Sequence, residues 1–132
     1  MPSIPKSHQD LLQATTAVMA TIGPDHRPQL SAVWFLAKGD TVRVSLNTTR
    51  QKVKNLRSNK AVNLFILDLS NPQRYLELRG DAQLDDDADY SFAREIGTKY
   101  DADLRAYDPP GSSRVVATIL PTRINAVDLS AG

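Results

Sequence analysis

The chain has 132 residues, 41% of them hydrophobic and 23% charged, with a formal net charge of +1. This is ordinary globular composition at the length of one domain, long enough to bury a core without covalent staples. With no cysteine and only two histidines, it excludes disulfides, thiolate zinc sites and a cysteine nucleophile, and argues against a His-rich metal centre.

The first ten residues, MPSIPKSHQD, lack the apolar stretch of a secretory signal. No apolar run approaches the roughly eighteen residues of a membrane helix, so no membrane span is expected and the expected compartment is the cytoplasm. Residues 8–14 can form one or two helical turns. Thr15–Ile22, rich in β-branched and small apolar residues, predicts a strand. Gly23-Pro24-Asp25 is a turn in which proline fixes φ. Pro28–Ala37 predicts a second strand, Lys38-Gly39-Asp40 a hairpin turn, and Thr41–Leu46 a cleanly alternating third strand.

Asn47–Asn59 breaks the strand pattern. Val53 and Leu56 stand three apart among polar residues, which predicts a short amphipathic helix, with Thr48 or Thr49 to cap it. Ala61–Leu67 is a strongly apolar strand. Arg74–Leu84 alternates as another, and Gly80 within it predicts a bulge or a close backbone approach. Asp85–Tyr100 predicts a helix with acids at its start. A loop at Asp108–Gly111 leads to two last strands, 114–120 and 123–129, separated by Pro121. About seven short strands with two or three short helices favour an antiparallel barrel over a doubly wound fold.

Charge is unevenly placed. Residues 1–66 carry nine basic and three acidic side chains, and residues 67–132 carry seven basic and twelve acidic. Arg50, Lys52, Lys54, Arg57 and Lys60 stand close together with no acid among them, which makes a local anion trap. A sequence pI of about 8.0 and an aromatic content of 6% fall short of a nucleic-acid surface, so no nucleic-acid partner is expected. There is no G-x-G-x-x-G, no G-K-[ST] phosphate loop, no H-E-x-x-H and no G-x-S-x-G. His8 and His26 are expected as solvated surface residues, and no catalytic acid is assigned.

The informative stretch is Asn47-Thr48-Thr49-Arg50-Gln51-Lys52-Val53-Lys54-Asn55-Leu56, which leaves a strand and opens a helix. Backbone N–H groups, hydroxyls and cations there suit a phosphate. The order ATIGPDHRPQLSAVWF, VSLNTTRQKVKNLRSNKAVNLFILD and RYLELRGDAQL resembles the pyridoxamine-phosphate-oxidase-like split barrels. It is most similar to their flavin/deazaflavin oxidoreductase branch, over roughly residues 12–128. The specific pieces are the Arg27–Val33 hairpin strand and the R-x-K-x-x-N-L pattern at Arg50–Leu56.

The resemblance implies a mainly β chain, residues 1–132 as a single domain. It implies a six-stranded antiparallel split β-barrel, homodimeric, with cofactor sites in grooves at the subunit interface. By matched position, Gln29, Ser31 and Val33 would line a flavin or deazaflavin ring. Asn47, Thr48, Arg50, Lys52 and Asn55 would hold the cofactor's tail and phosphate, with Lys54 a further candidate. Tyr75, together with Arg74, would reach in from the partner subunit. Trp34 is open to three roles: core, interface or substrate pocket. The implied activity is hydride transfer between coenzyme F420 and an unsaturated small molecule. F420 is preferred over FMN because its extra anionic tail needs the longer cationic track of Arg50, Lys52, Lys54 and Arg57. The alternatives are an FMN-dependent oxidase or reductase, and a non-catalytic flavin or deazaflavin carrier.

Overall fold

A computed structural model describes residues 2–130. A short 3-10 helix, Lys6–Gln13, leads into β1 (Ala17–Ile22), β2 (Pro28–Val33), β3 (Leu36–Lys38) and β4 (Thr41–Asn47). Then come α1 (Gln51–Ser58), β5 (Ala61–Leu67), β6 (Arg74–Asp86), α2 (Ser91–Tyr100), α3 (Leu104–Tyr107) and β7 (Arg114–Asp128). The seven strands form one antiparallel sheet in the order β2-β1-β5-β6-β7-β4-β3. Curled as a split barrel, it has one strand more than the resemblance implies. No helix among the described residues is long and apolar enough to cross a membrane.

Strict alternation builds the interior, because successive residues of a strand face opposite sides. Val42, Val44 and Leu46 of β4, Val62, Leu64 and Ile66 of β5, and Leu76 and Leu78 of β6 meet in one buried cluster. Val53 and Leu56 of α1 close it from the side.

Four expectations are corrected here. First, Pro28–Ala37 is two strands rather than one. At the break, Lys99 Nζ donates to Phe35 O across 2.9 Å, and Phe35 N donates to Tyr100 Oη across 3.1 Å. The Phe35 backbone thus finds its partners on α2 instead of in the sheet ladder. Second, Pro121 does not divide a pair of strands but lies within the 15-residue β7. It pairs with Gly80 where the ladder shifts register, a place where a missing N–H is tolerated. Gly80 makes the close approach expected of it: a Cβ there would lie 2.1 Å from Leu120 O.

Third, Asp85 and Asp86 belong to β6, and the helix begins only at Ser91. Asp87 still serves its start, since its carboxylate accepts from Phe92 N at 3.1 Å and from Ala93 N at 2.9 Å. Fourth, His8 is buried at 4% exposure. Its Nε2 lies 3.0 Å from Val127 O and its Nδ1 2.8 Å from Ser7 Oγ. The ring pins the 3-10 helix to the end of β7. His26 is exposed, as expected.

Candidate functional site

The basic stretch folds as its pattern predicts, except at the cap. Neither Thr48 nor Thr49 caps α1; Arg50 stands at the N-cap without a side-chain bond. Both hydroxyls have other partners. Thr48 Oγ1 lies 2.6 Å from Ser113 Oγ, and Thr49 donates from N and from Oγ1 to Asn47 Oδ1 at 3.0 and 2.8 Å. This Asx turn swings the chain off β4 and into the helix.

Once α1 starts, its buried face carries Lys52, Val53, Asn55 and Leu56. Two of these are polar, and both reach the exposed edge strand β2. Lys52 Nζ donates to Ser31 Oγ across 2.9 Å. Asn55 Nδ2 donates to Gln29 Oε1 at 3.0 Å and to Thr21 Oγ1 at 3.1 Å, while its Oδ1 accepts from Gln51 Nε2 at 2.9 Å. The sequence-predicted residues Gln29, Ser31, Lys52 and Asn55 therefore form one hydrogen-bonded seam.

Lys52 is 7% exposed. Burial pushes its ammonium below the ordinary lysine value, and the neighbouring Arg50 charge pushes the same way. Among the described residues no carboxylate lies within 4.0 Å of it; the ion pairs all belong to arginines. A buried cation with one neutral partner is costly and seeks an anion.

Lys52 lines a cleft of about 430 Å³ together with Val33, Asn47 and Arg50. Trp34, Ile96, Leu104, Tyr107 and Arg114 are also among its lining residues. The lining combines cations with apolar and aromatic side chains, a mixture common in small-molecule sites. Arg114 is already neutralised: its Nε and Nη2 reach Asp108 at 2.7 and 2.9 Å. Tyr90 Oη donates to the same carboxylate across 2.7 Å. The Arg114 guanidinium, then the Tyr90 and Asn47 side chains, hold Asp108 down at about 2. This cluster latches the segment between β6 and β7 beside the cleft.

The remaining predicted residues stand elsewhere. Lys54 is exposed and lines a separate groove of about 710 Å³, with His26, Arg57 and Lys60. Tyr75 does not line the cleft. It lies on the outer face of β6, its ring 5.1 Å from that of Phe65. Arg74 is tied within the chain, to Asp68 at 2.9 Å, to Ser7 O at 2.7 Å and to Asp10.

Sequence reasoning missed Tyr107, Ile96, Leu104 and the Arg114–Asp108–Tyr90 latch. The four-residue α3 is too short to leave a periodic pattern, and the ion pair joins residues whose meeting depends on the loop between them. The one available signal was the Asp directly before Pro109-Pro110, a rigid stretch that fixes the carboxylate's place.

The chain's likeness to known proteins agrees with this architecture. The family model described as pyridoxamine 5'-phosphate oxidase matches residues 4–128. Among solved structures, an F420 reductase is 33% identical, with a TM-score of 0.81 over 92% of this chain and 98% of that one. A putative pyridoxamine 5'-phosphate oxidase from Listeria innocua is 26% identical, with a TM-score of 0.68 over 88% and 90%. A conserved hypothetical protein from Mycobacterium tuberculosis, 22% identical, shares the fold with a TM-score of 0.74 over 95% and 85%. No curated protein matches the chain.

Proposed function

The chain belongs to the pyridoxamine 5'-phosphate oxidase family, and from that premise we propose that it is a single-domain oxidoreductase using a phosphate-bearing flavin-type cofactor. Coenzyme F420 is preferred over FMN, and the substrate is an unsaturated small molecule. The observation that carries this reading is the buried Lys52 ammonium, without a carboxylate, at a cleft that Arg50 also lines.

The residues present fit such a group. Lys52 and Arg50 would hold the phosphate by charge-assisted hydrogen bonds, with Asn47 and Thr48 at the turn beneath them. Val33 would meet the ring, and Gln29, Ser31 and Asn55 would fix the β2 edge against which it lies. When bound, the cofactor would supply the ring atom that gives or takes hydride, a carbon in F420 and a nitrogen in FMN. The chain orients and shields the reactants; the apolar side of the cleft, Val33, Ile96 and Leu104, excludes water.

Two observations support F420 over FMN. Along the sequence the cationic run continues as Lys54, Arg57 and Lys60, which line the separate groove, and no carboxylate is in its lining. A longer anionic tail would find counter-charges there. The second is the likeness to an F420 reductase at 33% identity.

A homodimer also belongs to the proposal. The outer sheet face sets Val18 beside Ala32 and Phe65, and Ala20 beside Leu30. Leu30 is 65% exposed and Val18 38%. A contiguous apolar face of this kind calls for cover, and a second copy would supply it and carry Tyr75 towards the partner's cleft.

Titration of the purified chain with FMN and with F420, followed by absorbance and fluorescence, tests the reading. Saturable binding, tighter for F420, is expected. Binding of FMN alone would overturn the cofactor choice, and binding of neither would overturn the whole. Binding without turnover on quinones and enones would leave a carrier.

A further inference from the structure

Asn55 is 3% exposed, and its side-chain amide meets three partners from three elements. Its Nδ2 donates to Gln29 Oε1 on β2 at 3.0 Å and to Thr21 Oγ1 on β1 at 3.1 Å. Its Oδ1 accepts from Gln51 Nε2, at the start of α1, across 2.9 Å. An amide nitrogen carries two hydrogens, so both are spent within the chain and Asn55 has no donor left for an anion. The surroundings also fix which way this amide points. Its nitrogen faces two acceptors and its oxygen faces one donor. Turned over, it would aim two hydrogens at the one acceptor that Gln51 offers and strand the other in a buried place, which is costly.

The consequence falls on Gln29. Its Oε1 accepts from Asn55 and, more weakly, from Thr21 Oγ1 at 3.5 Å. Its Nε2 has no acceptor among the described residues, and the residue is exposed. Gln29 shares one face of β2 with Ser31 and Val33, and Val33 lines the 430 Å³ cleft. A freely turning glutamine offers oxygen or nitrogen with equal ease. This one offers only N–H.

We propose that Asn55 is a positioning residue: by holding Gln29 Oε1 it turns the two Nε2 hydrogens outward, to donate to a carbonyl oxygen on the edge of the cofactor's ring. The proposal rests on the cofactor reading above and goes beyond it by assigning the sense of the hydrogen bond at the ring. FMN and F420 both carry carbonyl oxygens on that edge, which gain from an N–H donor and are repelled by an amide oxygen. An amide already turned the right way costs less to engage than one that must be ordered on binding.

Two measurements on the full chain test it. The first needs no cofactor: couplings across hydrogen bonds, by NMR on isotope-labelled protein. A coupling from Asn55 Nδ2 to the side-chain carbonyl carbon of Gln29 is expected. A coupling from Gln29 Nε2 to the side-chain carbonyl carbon of Asn55 would mean the opposite sense and overturn the proposal. The second is the ring-carbonyl stretch of bound FMN or F420, whichever binds more tightly, by infrared difference spectroscopy beside a titration. Gln29→Met should raise the stretching frequency and weaken binding about threefold to tenfold, the worth of one neutral hydrogen bond. Asn55→Leu should do the same, and the double variant no more than either alone, because the two residues act through one bond. Gln29→Glu, which offers oxygen only, should bind more weakly than Gln29→Met. An unmoved stretch in folded Asn55→Leu overturns the proposal. Should that variant not fold, the two Gln29 variants decide, and Gln29→Glu binding as tightly as Gln29→Met overturns it. Binding of neither cofactor by the wild type would sink the cofactor reading and this inference with it. Tight binding with the same carbonyl stretch in wild type and Gln29→Met would sink this inference alone.

Discussion

Lys52 Nζ donates to Ser31 Oγ across 2.9 Å, tying the first turn of α1 to the outermost strand of the sheet. A serine hydroxyl satisfies one of three ammonium donors and neutralises none of the charge. The seam thus leaves a buried positive charge uncompensated, which the proposed cofactor phosphate would meet. Lys52→Met keeps the aliphatic stem and removes the charge. Affinity for FMN and F420 should fall about tenfold to a hundredfold, the worth of one charge-assisted hydrogen bond. The thermal midpoint should hold or rise, because a desolvated unpaired cation has been removed. Cofactor titration beside a thermal melt checks both. Unchanged affinity in a folded variant would take this corner out of the cofactor site.

Acid should loosen the latch beside the cleft. Asp108 is held at about 2 against an ordinary 3.8, first by Arg114 and then by Tyr90 and Asn47. Its folded state binds fewer protons than the unfolded chain between those values. The pair's contribution is thus complete above pH 3.8 and is lost as pH falls towards 2. Asp10, Asp68 and Asp89 are lowered as well, so they add to the same slope. Asp108→Asn should flatten some of it and cost about 3 kcal/mol at neutral pH, by leaving Arg114 charged and unpaired. Urea denaturation at stepped pH is the measurement, and a slope identical to wild type would refute the assignment.

The outer face offers a third outcome. Val18 lies at its centre, paired with Ala32 on one side and Phe65 on the other. Val18→Asp places a charge where a dimer would bury it, at a position already 38% exposed in one subunit. Sedimentation velocity should show a dimer for the wild type and a monomer for the variant, with unchanged circular dichroism. A variant that still sediments as a dimer would move the interface elsewhere.

The strand interior was legible because alternation is local: Val42, Val44 and Leu46 declare their face within five residues. The seam was half legible. Lys52 and Asn55 stand three apart on a helix, which is enough to put them on one side. The resemblance implied Ser31 and Gln29 only as ring-lining residues; that they would partner Lys52 and Asn55 was not legible, because it depends on how α1 packs on β2. What stayed hidden depends on distant partners. His8 is buried because Val127 O waits for it at the other end of the chain. Asp108 stays charged because of Arg114, and Phe35 leaves the ladder because Lys99 and Tyr100 take its backbone. Residue type alone predicts exposure for a histidine near a terminus and continuation for an apolar strand. Tertiary contacts override both.

Pro121 misled for a related reason, and the site of that error is testable. A proline inside a paired strand breaks a local rule unless its partner gives something up. Here the partner is Gly80, and a Cβ on it would meet Leu120 O at 2.1 Å and Pro121 Cα at 2.8 Å. Both obstacles are backbone, so no rotamer change relieves them. Gly80→Ala should cost about 3 kcal/mol or more, the range of forced overpacking with backbone movement. Gly39 makes the contrast. Its φ of +59° strains an alanine, but a Cβ there meets nothing within 4 Å, so Gly39→Ala should cost about 1 kcal/mol. Pro121→Ala in the Gly80→Ala background should recover little, since the Leu120 carbonyl remains in the way. Denaturant titration of the three variants separates steric blockage from loss of backbone freedom. If Gly80→Ala proved as mild as Gly39→Ala, the two strands do not touch as closely at the bulge as this pairing requires.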